Sequence, residues 1–402
     1  MNKVCFYFEC YYTGGMETFL VQLVNNWSGE DELFVLCNKS YAGVNQFAGK
    51  IKNPKCHFEV YQMSMVQDWE KNISNKYLAR IVHILSFLLH VPYYILFGYK
   101  RLRLSRFDYL QIVNGGYPAG ISSRCIAISW WLYTKKKCLH NFHNFTMHGS
   151  WLNELPNTLI DKWVIRSTNH FVSVSKICAE SLRERRLFKN LENITYIYNG
   201  IGGEIVQPSF NLRSELHIKD GTFILMMMST YEERKGHKFI VDVMSRVLDK
   251  RKDVHLVFIG YGTPEDMQVV HDYVSLMGLD SYVSILGYKT NAMEYLAQTD
   301  LLLIGSQSLE SFGLTAIEAM KYHKVVLSTN IGGLKEVISD GEGGYLFDSD
   351  DIDGMSDRII FLLSHHEALQ EQAIKGYLRY QEYFTAERVA NGYRDLLLED
   401  RK

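Results

Sequence analysis

Short apolar runs alternate with helix-length amphipathic segments along this chain, the arrangement expected of parallel strands covered by helices. The pattern predicts strands at Lys3–Phe8, Leu33–Cys37, Tyr109–Val113, Phe171–Val174, Ile194–Tyr198, Phe223–Met228, His255–Ile259, Val283–Leu286, Leu301–Ile304 and Val325–Ser328. None is joined to the next by a two-residue hairpin signal, which argues against a sandwich or barrel and for two doubly wound, Rossmann-like α/β domains. At 402 residues the chain is also too long for one ordinary core. The boundary is expected between Asn199-Gly200-Ile201-Gly202-Gly203, where a strand ends in a glycine-rich turn, and Gly221. That gives an N-terminal domain of residues 1–200, with a C-terminal helix over 383–402 packing back on it, and a C-terminal domain of residues 201–382.

One segment departs from the pattern. Leu78 to Phe97 is almost wholly apolar and runs into Lys100-Arg101-Leu102-Arg103-Leu104-Ser105-Arg106. Arg80, His83, Ser86 and His90 recur at helical spacing as one narrow polar stripe, and Pro92 is expected to bend or end the helix. A transmembrane span needs about 20 clean apolar residues, which Arg80 and Pro92 interrupt. A helix lying in a membrane interface or buried in the fold fits better. Trp130-Trp131-Leu132-Tyr133 before Lys135-Lys136-Lys137 repeats the pairing of interfacial aromatics with a basic cluster. A buried strand followed by a solvated lysine turn reads equally well there.

Charge sharpens this picture. The net charge of -2 conceals 23 basic against 14 acidic side chains in residues 1–200, with the excess reversed in the remainder. Residues 71–140 hold eleven of the basic ones and a single acid, Asp108. One domain therefore presents a basic face towards something anionic, and the apolar helix beside it favours a membrane surface over nucleic acid. The seven cysteines are odd in number and form no C-x-x-C pair, as in reduced cytosolic proteins. The N-terminus enters a strand directly, without a signal-peptide pattern. A cytoplasmic protein, peripheral on the inner face of the plasma membrane, is expected.

The chemistry concentrates between Ile304 and Phe347. A strand ends at Ile304, a loop follows with Glu310, Ser311, Phe312 and Gly313, and a helix from about Thr315 to Tyr322 carries Glu318. The start of such a helix offers unpaired backbone N–H groups and partial positive charge, and Gly313 allows close backbone approach, so a phosphate suits it. Glu310 outside the helix and Glu318 one turn within it can face different parts of one ligand, one acid for a sugar and one for a ribose.

Glu310-SFGLTAI-Glu318, followed by Ala319-Met320 and by Gly332-Gly333 with Glu336, resembles the retaining family 4 (group 1) glycosyltransferases of bacterial surface polysaccharide synthesis. Other markers stand in family order: the glycine loop Thr13-Gly14-Gly15-Met16-Glu17, His148-Gly149, the interdomain turn Asn199-Gly200-Ile201, Lys235-Gly236, and Gly260-Tyr261-Gly262. Together they span most of the chain, which makes the set far more specific than two glutamates alone.

The resemblance implies the GT-B fold, with its two domains facing across a cleft, the N-terminal one for an acceptor and the C-terminal one for a nucleotide-sugar donor. Lys235 would pair with the donor diphosphate, Glu318 would accept from the ribose hydroxyls, and Glu310 with Ser311 and the Phe312, Gly313 and Leu314 amides would hold sugar and phosphate. His148 would stabilise the oxocarbenium-like sugar or orient the 6-hydroxyl, Gly15 would let the N-terminal backbone close on the phosphate, and Tyr288 is our choice for packing near the base. Glu310, His148 and Lys235 form the implied catalytic set. A lysine and a helix N-terminus favour the departing diphosphate most in the transition state. Attack on the front face, with the leaving phosphate deprotonating the acceptor, needs neither a pair of water-activating carboxylates nor a metal. The nucleotide sugar is a substrate and no cofactor is expected; a uridine donor is favoured over a guanosine one. The expected acceptor is a glycan or a polyprenyl-diphosphate-linked glycan of lipopolysaccharide O-antigen, capsule or exopolysaccharide. An anionic membrane surface would meet residues 78–106 and 130–137, and no nucleic-acid partner is expected.

The family carries Gly-Arg about five residues before its lysine, whereas Thr230 stands here, leaving Arg234 as the substitute. Against the functional readings, Glu310 and Glu318 could be solvated acids. His140, His143 and His148 lie close together but lack a carboxylate or thiolate at ligand spacing, so no metal site is assigned. Gly260-Tyr261-Gly262 lacks the third glycine of a dinucleotide fingerprint, Glu265 taking its place. A sugar-nucleotide epimerase on the GT-B scaffold, or a non-catalytic nucleotide-sugar-binding partner subunit, is the alternative function.

Overall fold

The computed structural model describes residues 1–11, 14–41, 43–63, 76–118, 120–147 and 151–399, leaving aside the side chains of residues 76–84, 86–88 and 151–156. The chain forms two compact units, one of residues 1–200 joined by the chain from Ala386 on, the other Ile201–Thr385.

The first unit is built on seven strands: β1 (Lys3–Phe8), β2 (Glu32–Asn38), β3 (Cys56–Tyr61), β4 (Tyr109–Asn114), β5 (Cys138–Phe142), β6 (Thr168–Ser173) and β7 (Ile194–Tyr196). They lie in the order β3-β2-β1-β4-β5-β6-β7, and each neighbouring pair is parallel. Strand β1 shows why its sequence is unbroken by polar residues. Successive side chains point to opposite faces, and both faces are covered. Val4, Phe6 and Phe8 pack with Phe19 and Leu20 of helix Gly15–Asn25 and with Tyr393 and Leu397 of helix Ala386–Leu398. Cys5 and Tyr7 pack on the other face with Tyr94, Cys125, Ile126 and Trp130. Each such buried apolar side chain contributes about 1.5–3 kcal/mol.

The second unit repeats the topology with β8 (Phe223–Met228), β9 (Val254–Ile259), β10 (Val283–Leu286), β11 (Leu301–Ile304), β12 (Val325–Thr329) and β13 (Gly344–Phe347), ordered β10-β9-β8-β11-β12-β13 and again parallel. In both sheets the strand order reverses after the first strand, between β1 and β4 and between β8 and β11. Ligands of doubly wound sheets bind outside the carboxyl ends of the strands at such a point.

Two expectations are corrected. Pro92 does not end its helix, which runs unbroken over Lys76–Ser105. Trp130–Tyr133 is no strand; it closes helix Ile121–Thr134, whose C-cap Lys135 is left-handed (φ 61°), and the strand follows at Cys138. Three strands, β3, β5 and β13, were absent from the strand reading.

Candidate functional site

The loops leaving β8 and β11 flank the switch point of the second sheet. From β8 the chain passes through Ser229–Glu232 into a single 3₁₀ turn, Glu233–Lys235, and then helix His237–Lys250. Gly236 joins the two at φ 73°, where a side chain would also overlap the Gly305 carbonyl. The Gln307 amide donates to the Arg234 carbonyl at 2.7 Å, so the β8 and β11 loops are bonded through their backbones.

Lys235 and Glu310 meet across these two loops. Lys235 Nζ lies 2.6 Å from Glu310 Oε2, both side chains being largely buried, and Ser306 Oγ donates to the same oxygen at 3.0 Å. Ser306 is a partner that the sequence did not single out. Its loop is fixed in turn by Thr329 Oγ1, which donates to the Ser306 carbonyl at 2.5 Å.

Arg234 belongs to the same cluster. Its Nε donates to Glu232 Oε2 at 2.6 Å and its Nη1 to the Leu309 carbonyl at 3.3 Å, while Thr230 Oγ1 donates to Glu232 Oε1 at 2.7 Å. Burial works against ionisation of Glu232, but the hydrogen bonds from Arg234 and Thr230 and the charges of Arg234 and Lys235 prevail and hold its carboxyl below the usual range. Thr230 thus helps to orient the acid that holds Arg234.

Past Glu310, Ser311 is half-buried and Phe312 is buried against Phe384, ring centroids 5.9 Å apart. Gly313, at φ 105°, then caps helix Leu314–Lys321 without any side-chain capping bond. The helix therefore begins with amide donors that no capping side chain takes, next to a lysine, an arrangement suited to an anion. The Gly332-Gly333 pair shapes the loop from behind. Gly333 N donates to the Glu310 carbonyl at 2.7 Å, and Gly332, at φ 57°, sits where a Cβ would overlap that carbonyl oxygen.

Glu318 follows one turn into the helix and is half-buried. Solvent reaches it, yet the protein packed around it desolvates the carboxyl enough to push it up to about 7, against a smaller opposing pull from Lys321. Lys321 is itself buried, which lowers its pKa, and Nζ donates to the Gly202 carbonyl at 2.8 Å. Glu318 is therefore a carboxyl poised between hydrogen-bond donor and acceptor near neutrality.

The other expected residues lie elsewhere. Tyr288 stands exposed after edge strand β10, two strands from β8. Gly15, exposed, opens helix Gly15–Asn25 of the first unit, and its neighbour Glu17 is buried, accepting from Tyr41 and paired with Lys50 at 2.6 Å. His148 lies outside the described residues, as does Thr13 of the glycine loop. His140 and His143 are buried in the first unit, both pushed down to about 3 by burial, and among the described residues no group of three or more ligand side chains could hold a metal.

Residues 209–379 match the family described as glycosyl transferases group 1, a stretch that contains the whole of this loop cluster. The matched stretch covers most of the second unit. Among curated relatives, the N-acetyl-alpha-D-glucosaminyl L-malate synthase of Bacillus anthracis is 28% identical over 267 residues, 64% of this chain and 68% of that protein. The lipopolysaccharide core biosynthesis mannosyltransferase LpsB of Rhizobium meliloti is 26% identical over 204 residues, 49% of this chain and 58% of its own. The crystal structure of Anabaena Alr3699/HepE in complex with UDP and glucose superposes with a TM-score of 0.75 at 16% identity, over 99% of this chain and 100% of that one. That likeness is one of fold and covers both units, each a parallel Rossmann-like sheet as in GT-B proteins.

Proposed function

We propose that the chain is a retaining, metal-independent glycosyltransferase that moves a sugar from a nucleoside diphosphate donor, bound by the second unit, to a glycan or lipid-linked glycan of the bacterial surface. The observation that carries this reading is the meeting of Lys235 and Glu310 at the β8/β11 switch point, beside the helix that Gly313 opens.

In this reading Lys235 shares its charge between Glu310 and the incoming diphosphate, while the amides from Phe312 to Leu314 receive a phosphate oxygen. Both groups are fixed before the reaction and gain most when the leaving diphosphate carries its full charge, so they stabilise the transition state above the ground state. Glu310, held from one side by Lys235 and Ser306, offers its remaining acceptor capacity to the sugar hydroxyls. Glu318, in its ionised form, accepts from the ribose. Arg234 braces the Leu309-Glu310 loop and adds a second positive charge at its edge. A uridine donor is favoured, in keeping with the UDP and glucose of the HepE crystal. Assembly of surface polysaccharide is the proposed setting, in keeping with the LpsB relative.

Binding and turnover of a panel of UDP-, GDP- and ADP-sugars, measured beside Lys235→Ala and Glu318→Ala, tests the assignment. One donor bound selectively, weakened by both substitutions and turned over in excess chelator with the anomeric configuration kept, is the expected result. No binding of any donor would overturn the catalytic reading, and an inverted product would overturn retention.

A further inference from the structure

We propose that the outer face formed by helices Lys76–Ser105, Ile121–Thr134 and Trp151–Ser167 is a docking surface for an anionic lipid bilayer. The first helix has two sharply different sides. Tyr94, Leu102 and His90 are buried, and Gly98 lets the helix approach Ile126 and Ser129, with Ser129 Oγ donating to the Ile95 carbonyl at 2.9 Å. The opposite side, at helical spacing, is Leu85, Leu89, Tyr93, Leu96 and Tyr99, all exposed, with Leu96 at 69%. Because the helix passes through Pro92 without a break, this apolar stripe is continuous.

The neighbouring helices extend it. Tyr99 packs against Tyr133 at 5.8 Å, and Trp131 against Trp163 at 6.1 Å, which carries the surface on to exposed Leu132, Leu159 and Trp163. Aromatic side chains of this kind favour the headgroup level of a bilayer. The charges around them share one sign. Lys100, Arg103, Lys135, Lys136, Lys137 and Arg166 are exposed, and Lys135 and Arg166 lie over the Trp131 ring at 5.1 and 4.9 Å. The two acids among residues 99–108, 130–137 and 157–167 are already engaged: Asp108 accepts from the Lys3 amide, and Asp161 is buried against Arg185 at 2.9 Å. Among the described residues no helix is long and apolar enough to cross a membrane, so the stripe suits an interface rather than a span. An apolar stripe rimmed by cations that form no ion pair among the described residues matches acyl chains bordered by anionic headgroups; nucleic acid would leave the leucines unused.

Flotation of the full-length protein with phosphatidylglycerol/phosphatidylcholine vesicles, and with phosphatidylcholine alone, tests this independently of any donor. Binding is expected to the anionic vesicles only and to weaken with salt. It should fall more than tenfold in Leu89→Glu/Leu96→Glu, and about fivefold for each cation removed in Lys135→Ala/Lys136→Ala. Unchanged melting temperatures confirm that both variants fold. Absence of binding, or binding that neither variant reduces, overturns the proposal. So does a dimer in solution that Leu89→Glu/Leu96→Glu dissolves, which would make the face an interface between copies, or equal retention by duplex DNA.

Discussion

Replacing Glu318 with glutamine isolates the cost of holding a carboxylate in the helix at the proposed donor site. Desolvation raises this carboxyl from 4.5 to about 7, a difference worth about 3 kcal/mol between its two protonation states. The sign follows from proton binding. The folded protein keeps this proton to a higher pH than the unfolded chain, so the stabilisation is complete below about pH 4.5 and disappears as the pH rises through 7. Glutamine, neutral throughout, carries no such dependence. Between pH 5 and pH 8 the wild type should therefore lose about 2.5 kcal/mol relative to Glu318→Gln, equivalent to roughly 5–10 °C of melting temperature in a unit of this size. Differential scanning fluorimetry of both proteins across that interval reads the difference directly, other titrations cancelling. Donor binding should move the other way: a carboxylate accepts from two ribose hydroxyls, so UDP affinity should rise more steeply through pH 7 in the wild type than in the variant, the titration of the UDP phosphate being common to both. Parallel melting profiles would refute the raised pKa, and UDP affinity falling with pH would refute the ribose assignment.

Lys235→Ala should weaken UDP binding by roughly ten- to a hundredfold, the usual range for a charge-assisted contact, as calorimetry would show. Gly332→Ala puts a Cβ onto the Glu310 carbonyl in a left-handed backbone; it should cost about 1–3 kcal/mol of stability by thermal melting and abolish UDP binding in protein that remains folded. Asp161→Asn leaves buried Arg124 and Arg185 without the carboxylate they share. It should destabilise the first unit by about 3–5 kcal/mol in denaturant titration while UDP affinity stays unchanged.

Most of the strands read clearly are buried on both faces, Val283–Leu286 at the sheet edge being an exception. Lys3–Phe8, Phe223–Met228, Val283–Leu286 and Leu301–Ile304 have the same bounds in sequence and structure. Two of the three strands that escaped notice, β3 and β5, lack an apolar run. In β3, an edge strand, His57 and Val60 are exposed. Strand β5 reads Cys-Leu-His-Asn-Phe, yet it is entirely buried, because His140 stacks on Phe142 and Asn141 donates to the Tyr393 hydroxyl at 2.5 Å. The Tyr393 partner lies 252 residues away, and periodicity cannot announce it. The same limit applies to the site. Glu310, Glu318 and Lys235 were legible as residues, but the contact between Lys235 and Glu310, 75 positions apart, depends on β8 and β11 being neighbours, and strand order is not written in hydrophobic period.

The repeated topology also bears on which unit takes the anionic donor. Each sheet has a switch point, and at each a helix begins close by, so the fold alone would allow a phosphate at either. Their contents differ. In the first unit the carboxylate of buried Glu9, at the end of β1, already occupies the start of helix Ile121–Thr134. It accepts from the Ser122 and Ser123 hydroxyls, the Ser123 backbone and Tyr11 Oη, and it lies close against Gly120, the helix N-cap. Burial raises its pKa, which is the mark of a charge that the site barely tolerates rather than one it lacks. A second anion there would meet a carboxylate in low dielectric, where like charges repel most strongly. In the second unit the corresponding helix also lacks a side-chain cap, and the carboxylate before it, Glu310, is paired with Lys235. Two copies of one topology thus differ in that a lysine meets the loop carboxylate only in the second unit, and on the proposed function it is this difference in side chains, rather than the fold, that directs the diphosphate there.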